Sequence, residues 1–260
     1  PPSFIAVALT ATGLAIVSWL DDLRGLSPAL RLLAQMAAVV AGMFALPQGV
    51  IFQGWLPPAL DAIAAALLWV WFVNLFNFMD GIDGIAGSEA VAIGIGIVLI
   101  TGGDSALAEP AAAIAAAALG FVFWNWAPAR IFLGDVGSVP LGYLLGFLLL
   151  ALVLRGNQGM VGAWQAALIL PAYFLADTTP TLLRRLARGE RVWQAHREHF
   201  YQRAVQHGLG HAAVVIRVAA ANFVLIACAV AATRGWGFAA LGGAALTVVA
   251  LLVELGRARR

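Results

Sequence analysis

The sequence predicts an all-α protein, a polytopic bundle of transmembrane helices forming one integral membrane domain over residues 1–260. Three observations predict it. Of 260 residues, 62% are hydrophobic and only 11% charged, against about 45–50% and about 25% in a soluble domain. Mean hydropathy is +0.92. Apolar runs suited to a bilayer core of about 30 Å recur along the whole chain.

Hydropathy and punctuation give about nine expected spans of roughly 20 residues or somewhat fewer. The first, about 3–20, lacks a basic leader and runs straight into Asp21-Asp22, so it reads as a span and not a signal peptide. The second, about 30–46, stops before Pro47, and the third, about 59–78, starts after Pro57-Pro58. The fourth, about 87–101, closes at Gly102-Gly103. The fifth, about 110–126, carries the Ala-rich stretch from Ala111 to Ala118, whose small side chains let helices approach closely. The sixth and seventh, about 137–154 and 162–182, flank Gly156 and Gly159. The last two, about 212–232 and 236–254, enclose Arg234. The chain opens on Pro1-Pro2 without an initiator Met, which reads as a piece of a longer protein.

Net charge is +2, and all 15 basic residues are Arg. Nine spans place Asp21 to Arg24, Asp80, Arg130, the 184–203 segment and the C-terminal tail on one side. Only Arg155 and Arg234 fall on the other. The positive-inside rule makes the Arg-rich side cytoplasmic. The Arg residues gather at helix ends and form no continuous basic face, which argues against a nucleic-acid partner. A single cysteine, Cys228, excludes an intramolecular disulfide and a cysteine zinc cluster. It reads as a buried apolar thiol.

Four polar segments fall on the Arg-rich side. Asp21-Asp22 follows the first span and reads either as a solvated boundary turn or as carboxylates flanking a cation or basic group. Asn74, Asn77, Asp80 and Asp83 recur every three residues, a spacing that keeps them near one helix face. Polar groups at the end of an apolar span are costly unless paired or wet, which marks them as functional candidates. Gly81 and Gly84 let backbone approach a ligand and can break the helix. Asp135 lies between Gly134 and Gly137, ahead of the sixth span, and reads as a helix N-cap or as a metal ligand. Hard oxygen donors without clustered Cys or His favour Mg²⁺, with Mn²⁺ as the alternative. The 184–203 segment carries Arg184, Arg185, Arg188, Arg191, His196, Arg197, His199 and Arg203. Its Arg residues either set topology or bind phosphate in bidentate fashion. His196 and His199 read as diphosphate donors, or as a metal pair that would need a third ligand. Carboxylates, amides, glycines and Arg/His at a membrane surface suit transfer chemistry on a phosphorylated substrate.

The segments DDLRGLSPALRLLAQ, NLFNFMDGIDGIAG, FLGDVGS and HREHFYQR, in that order, resemble those of the polyprenyl-phosphate N-acetylhexosamine-1-phosphate transferases, glycosyltransferase family 4. The resemblance covers about Asp21 to Arg203, and the HREHFYQR form looks most like the O-antigen-initiating branch. It departs from the triple-histidine form of the lipid I-forming phospho-MurNAc-pentapeptide transferase, which stands as the alternative.

The resemblance implies transfer of HexNAc-1-phosphate from a UDP-HexNAc donor to undecaprenyl phosphate, with release of UMP. It implies a multi-pass protein of the bacterial inner membrane whose site faces the cytoplasm, and a homodimer is compatible with it. By motif position, Asn77 and Asp135 look like Mg²⁺ ligands. Asp21 or Asp22 looks like the group that binds or deprotonates the lipid phosphate, and Asp80 and Asp83 look like active-site carboxylates near the diphosphate. Asn74 joins the substrate-binding set. Arg31 stands where the family carries a basic phosphate-binding residue. His196, Arg197 and His199 look like diphosphate and sugar contacts. Direct attack and a covalent Asp intermediate are both open. Family members carry about ten or eleven spans, with the double aspartate after the third, so this chain reads as a piece of an eleven-span protein that lacks two N-terminal helices.

Two rivals are weaker. A CDP-alcohol phosphotransferase needs Ala-Arg two residues beyond its Asp-Gly, and Asp83-Gly84 is followed by Ile85-Ala86-Gly87-Ser88. A transporter or flippase of lipid-linked sugars places polar sites near the bilayer midplane, whereas these carboxylates lie at span ends. Asp177 is the one ambiguous case, an additional site residue or a partner for Arg184.

Overall fold

The computed structural model describes residues 2–102, 105–191 and 196–257. All regular structure among them is helical: α1 (Pro2–Arg24), α2 (Pro28–Met43), α3 (Pro58–Phe78), α4 (Ile85–Thr101), α5 (Ser105–Asn125), α6 (Gly134–Arg155), α7 (Ala163–Ile169), α8 (Ala172–Ala187), α9 (Phe200–Gln206), α10 (His211–Ala231) and α11 (Gly237–Arg257).

The expected nine spans are not found. Five helical stretches among the described residues are long and apolar enough to cross a membrane, or six if the bent pair α7–α8 counts as one. The reason lies in where helices stop. The helix α2 has 16 residues and α4 has 17, short of the roughly 20 a crossing takes. The seven-residue α7 ends ahead of Pro171, and the chain bends by 65° before α8. The last two expected spans fall in one 47-residue apolar stretch, His211–Arg257, counted once among the five, which breaks at the Ala232–Trp236 turn between α10 and α11. Gly235 in that turn has φ 95°, the left-handed region open to glycine. There the stretch doubles back, and Arg217 Nε meets Glu254 Oε1 at 2.6 Å across its two arms. Hydropathy detects apolar runs, but it does not detect whether a helix of spanning length fills them.

The central post is α6, packed against α1, α3 and α7. Trp69 of α3 stacks on Tyr143 of α6 at 4.8 Å and donates its indole N–H to the Tyr143 carbonyl at 2.9 Å. Tyr143 donates in turn to the Ala38 carbonyl of α2 at 3.1 Å. Gly146 leaves the room this needs, since a Cβ there would come 2.6 Å from Trp69 Nε1. This packing holds three helices together in a region that supplies no water to satisfy polar groups.

The Ala-rich expectation is met at the α4–α5 contact. A Cβ on Gly94 would lie 2.7 Å from the Ala111 carbonyl and 2.8 Å from the Ala115 methyl. Backbones that close gain dispersion contacts where lipid offers no hydrophobic drive between helices. Cys228 is a free thiol, half-buried and not enclosed as expected.

The two ends of the bundle differ in charge. From Asp135 near its start to Arg155 at its end, α6 is roughly 30 Å long at 1.5 Å per residue. Gly162, in the turn before α7, lies against the Ala232 backbone. Arg155 and the turn holding Arg234 therefore share the end away from Asp21, Asp22, Asp80, Asp83 and Asp135, where Asp61 is taken up by the backbone of Ile51 and Phe52.

Gly94→Ala should lower the melting temperature of the detergent-purified protein, with a cost of about 1–3 kcal/mol for overpacking against immovable backbone. An unchanged melting temperature would mean that α4 and α5 are not locked at this distance.

Candidate active site

The end of α3 delivers the first polar groups. Asn74 and Asn77 lie on its last turns, while Asp80 and Asp83 fall in the loop between α3 and α4. Only the amide half of the three-residue repeat is therefore helical. Asn74 Nδ2 donates to Gln35 Oε1 of α2 at 2.6 Å. Asn77 Oδ1 accepts from Ser138 Oγ of α6 at 2.6 Å, and the same side chain interacts with the Asp135 carboxylate. Gly84 turns the chain into α4 at φ 85°, and its N–H donates to Asn125 Oδ1 at 2.8 Å. Asp83 Oδ2 accepts from Ala129 N at 3.2 Å and lies 3.2 Å from His211 Nδ1.

The turn between α1 and α2 delivers the second group. Asp21 Oδ1 accepts from Leu26 N at 2.6 Å, which closes the turn, and Asp21 Oδ2 takes Arg31 Nη1 at 3.1 Å. The same Arg31 nitrogen lies 3.5 Å from Asp135 Oδ2. Asp22, on the exposed side, accepts from Val136 N at 3.3 Å. Asp135 sits in the first turn of α6 and is not its N-cap. The positive end of that helix favours a carboxylate there.

These pieces border two connected hollows. A polar cavity of about 550 Å³ is lined by Arg31, Asn77, Asp80, Asp83, Asp135 and His211, among others. A narrower groove of about 250 Å³ runs from it between α1, α2, α3 and α6, past Leu14, Val17, Leu32 and Asn74. Arg31, Asn77, Phe78 and Asp135 line both and form the junction. Carboxylates crowd the cavity, and burial, then the charge of Asp135, push the Asp80 carboxyl up to about 7.

His196, Arg197 and His199 line neither hollow. His199 is buried, with Nδ1 3.1 Å from Asp177 Oδ1. Asp177 also accepts from Phe200 N at 3.0 Å, Tyr201 N at 3.3 Å and the Tyr173 hydroxyl at 3.2 Å. Tyr201 reaches across and donates to the Phe78 carbonyl at 3.2 Å, at the base of the Asp80 loop. Gly81 is required there, because a Cβ would collide with the Tyr201 hydroxyl. His196 is half-buried, and burial, then His199, depress its pKa to about 4. Its Nδ1 accepts from Glu198 N at 3.3 Å, which leaves Nε2–H as the donor of the neutral ring. Arg197 is exposed. Arg185 and Arg188 are engaged by Glu190 and Glu198. Arg184 bonds Pro180 O and Thr181 Oγ1. Of the two readings of Asp177, the Arg184 partnership is thus not the one the contacts support.

Four residues beyond the sequence-predicted set take part. Gln35, Asn125 and Asp177 hold Asn74, Gly84 and His199, and His211 borders the polar cavity. All are polar groups within or at the edge of apolar runs, which is the signal that could have found them. Asp177 stands out by that signal, but apart from Tyr173 its partners lie 22 to 24 residues away in sequence.

Asn77 and Asp135 supply oxygen donors and meet a surplus of carboxylates opposed by Arg31. That chemistry fits a hard divalent cation held by one or two protein groups, with water and substrate phosphate completing its shell. Among the described residues no cluster of three or more His, Cys, Asp or Glu forms a closed metal cage.

The fold and site define an α-helical integral membrane protein with an acidic cleft at the end of its helices. The chain belongs to glycosyl transferase family 4, whose family model matches residues 4–153. It is 26% identical over 241 residues to a Bacillus subtilis protein named "Probable undecaprenyl-phosphate N-acetylglucosaminyl 1-phosphate transferase", covering 84% of this chain and 63% of that one. It is 39% identical over 130 residues to the phospho-N-acetylmuramoyl-pentapeptide-transferase of Moorella thermoacetica, covering 45% and 40%. The protein of that name from a Synechococcus species is 34% identical over 207 residues, covering 70% and 54%. The chain thus spans about 40–63% of these relatives' lengths. The O-antigen-initiating branch suggested by HREHFYQR is not the dominant likeness.

Asp177→Asn turns an acceptor of four hydrogen bonds into a mismatched amide. It should cost about 1.5–3 kcal/mol, the range for hydrogen bonds to a charged group, read as a lower melting temperature. In an NMR pH titration, the His196 ring should stay neutral from pH 7 down to about 4. Titration of His196 near 6.5 would contradict its burial.

Proposed function

We propose that the protein transfers a sugar-1-phosphate from a UDP-sugar to a polyprenyl phosphate and releases UMP. One observation carries this reading: an acidic cavity opens directly into an apolar groove, with Arg31, Asn77 and Asp135 at the junction. A lipid phosphate needs that combination, a greasy channel for its tail and a charged junction for its head. Undecaprenyl phosphate fits the groove, and the nucleotide donor fits the polar cavity.

In the reaction an oxygen of the lipid phosphate attacks the β-phosphorus of the donor. A new P–O bond forms, the bond to the α-phosphate oxygen breaks, and its electron pair leaves with UMP. Arg31 would hold the incoming phosphate against Asp135. Asp21 keeps Arg31 in place, and Asp21 or Asp22 would bind or deprotonate the acceptor. Asp80 and Asp83 would face the donor diphosphate. Asn77 and Asp135 would hold Mg²⁺ or Mn²⁺, which when bound supplies charge neutralisation for the diphosphate. UDP-sugars are cytoplasmic metabolites, so the site would face the cytoplasm of the bacterial inner membrane, in keeping with the Arg bias.

The relatives favour a phospho-MurNAc-pentapeptide donor over an O-antigen-initiating HexNAc donor, given the 39% and 34% identities. The match to the Bacillus subtilis protein over 84% of this chain keeps N-acetylglucosamine-1-phosphate as the rival.

Protein in detergent with undecaprenyl phosphate and Mg²⁺ should release UMP from UDP-MurNAc-pentapeptide or UDP-GlcNAc, and a panel of both identifies the sugar. Release from neither would sink the functional reading. Asp135→Asn should reduce turnover by more than about 100-fold, beyond the usual effect of losing a metal's outer-shell partner. EDTA should abolish turnover, and Mg²⁺ or Mn²⁺ should restore it. Full turnover by the Asn variant would refute the ligand assignment.

A further inference from the structure

We infer that His211 is a donor-phosphate contact, held by Asp83 so that its Nε2 meets the phosphate that departs with UMP. The inference rests on the proposed transfer reaction and adds a residue to it.

His211 opens α10, and its ring borders the polar cavity together with Asp80, Asp83 and Asn125. Asp83, Asn125 and His211 line that cavity and not the apolar groove. They therefore form the wall away from the junction where a lipid phosphate would enter, on the side left for the nucleotide.

The ring is fixed through one nitrogen. His211 Nδ1 lies 3.2 Å from Asp83 Oδ2 and 3.4 Å from Asp83 N. A protonated Nδ1 donates to the carboxylate, and an unprotonated Nδ1 accepts from the amide, so Asp83 holds the ring in either state. Nε2 is the ring's remaining hydrogen-bonding group. In the Nε2–H tautomer and in the imidazolium it is a donor, which is what a phosphate oxygen requires. The side chain is 36% exposed while Asp83 is 19% exposed, so the carboxylate is the more buried partner and the imidazole the more open one at the cavity wall.

Asp83 is itself braced. Its carboxylate accepts from Ala129 N, and the next residue, Gly84, is bonded to Asn125. Asn125 Nδ2 donates to Ile131 O at 2.7 Å, which ties down the loop before α6. The histidine is thus set by the same backbone segments that carry Asp80 and lead to Asp135.

The test uses two substitutions that split the ring. His211→Asn keeps a polar atom near the Nδ1 position and loses Nε2, whereas His211→Gln can place its amide near the Nε2 position. UMP binding to the detergent-purified full chain with Mg²⁺ is measured by calorimetry, beside the melting temperature of each variant without ligand. His211→Asn should weaken UMP binding by about tenfold or more, the scale of one charge-assisted hydrogen bond, with His211→Gln within about threefold of wild type. Wild-type affinity in His211→Asn, or a loss in His211→Gln as large as in His211→Asn, overturns the inference while leaving the transfer reading intact. A wild-type protein that fails to bind UMP overturns both.

Discussion

Arg31 stands between Asp21 and Asp135, 3.1 Å from one carboxylate and 3.5 Å from the other. Three separate chain segments bring carboxylates to this place: the end of α1, the loop after α3 and the start of α6. Like charges converging at a membrane boundary repel, and partial burial makes that repulsion stronger than in water. Burial first, and the charge of Asp135 second, raise the Asp80 carboxyl to about 7. The guanidinium offsets part of the repulsion and ties the α1–α2 turn to α6. A divalent cation would relieve the remainder, which gives the crowding a chemical purpose.

Helix length gives that cluster its room. The two short apolar helices, α2 and α4, are those that carry or follow cleft residues: Arg31 and Gln35 lie on α2, and Asp83 directly precedes α4. A helix too short to cross leaves depth at one end for a loop and a cavity. The full-length α3 and α6 supply the rigid wall, joined by the Trp69–Tyr143 stack and the indole bond to the Tyr143 carbonyl, while the Tyr143 hydroxyl ties α6 to α2. Sites carried on rigid helices hold geometry better than sites carried on loops.

The segment from His196 to Arg203 reaches the cleft indirectly. Asp177 gathers His199 and two backbone amides, and Tyr201 passes that order to the carbonyl of Phe78. The segment therefore supports the base of the Asp80 loop even though its histidines do not line the cavity. Among the described residues His199 Nε2 is buried without a hydrogen-bond partner, so this support is made through Nδ1.

The sequence by itself determined the lipid environment, the helical class, the family motifs and the grouping of Asp80, Asp83, Asn77, Asp135 and Arg31. The first two follow from composition and apolar runs, the candidates Asn77, Asp80, Asp83 and Asp135 from polar residues interrupting those runs, and Arg31 from its place in the family motif. It did not determine the number of spans, because hydropathy does not register where helices fall short, bend by 65° or double back at a break such as Gly235. Nor did it place His211 against Asp83, 128 residues earlier, or Asp177 against His199. Such pairs share no local spacing. Only packing α10 beside α4, and folding the 196–203 segment back over α8, brings their atoms within hydrogen-bonding reach.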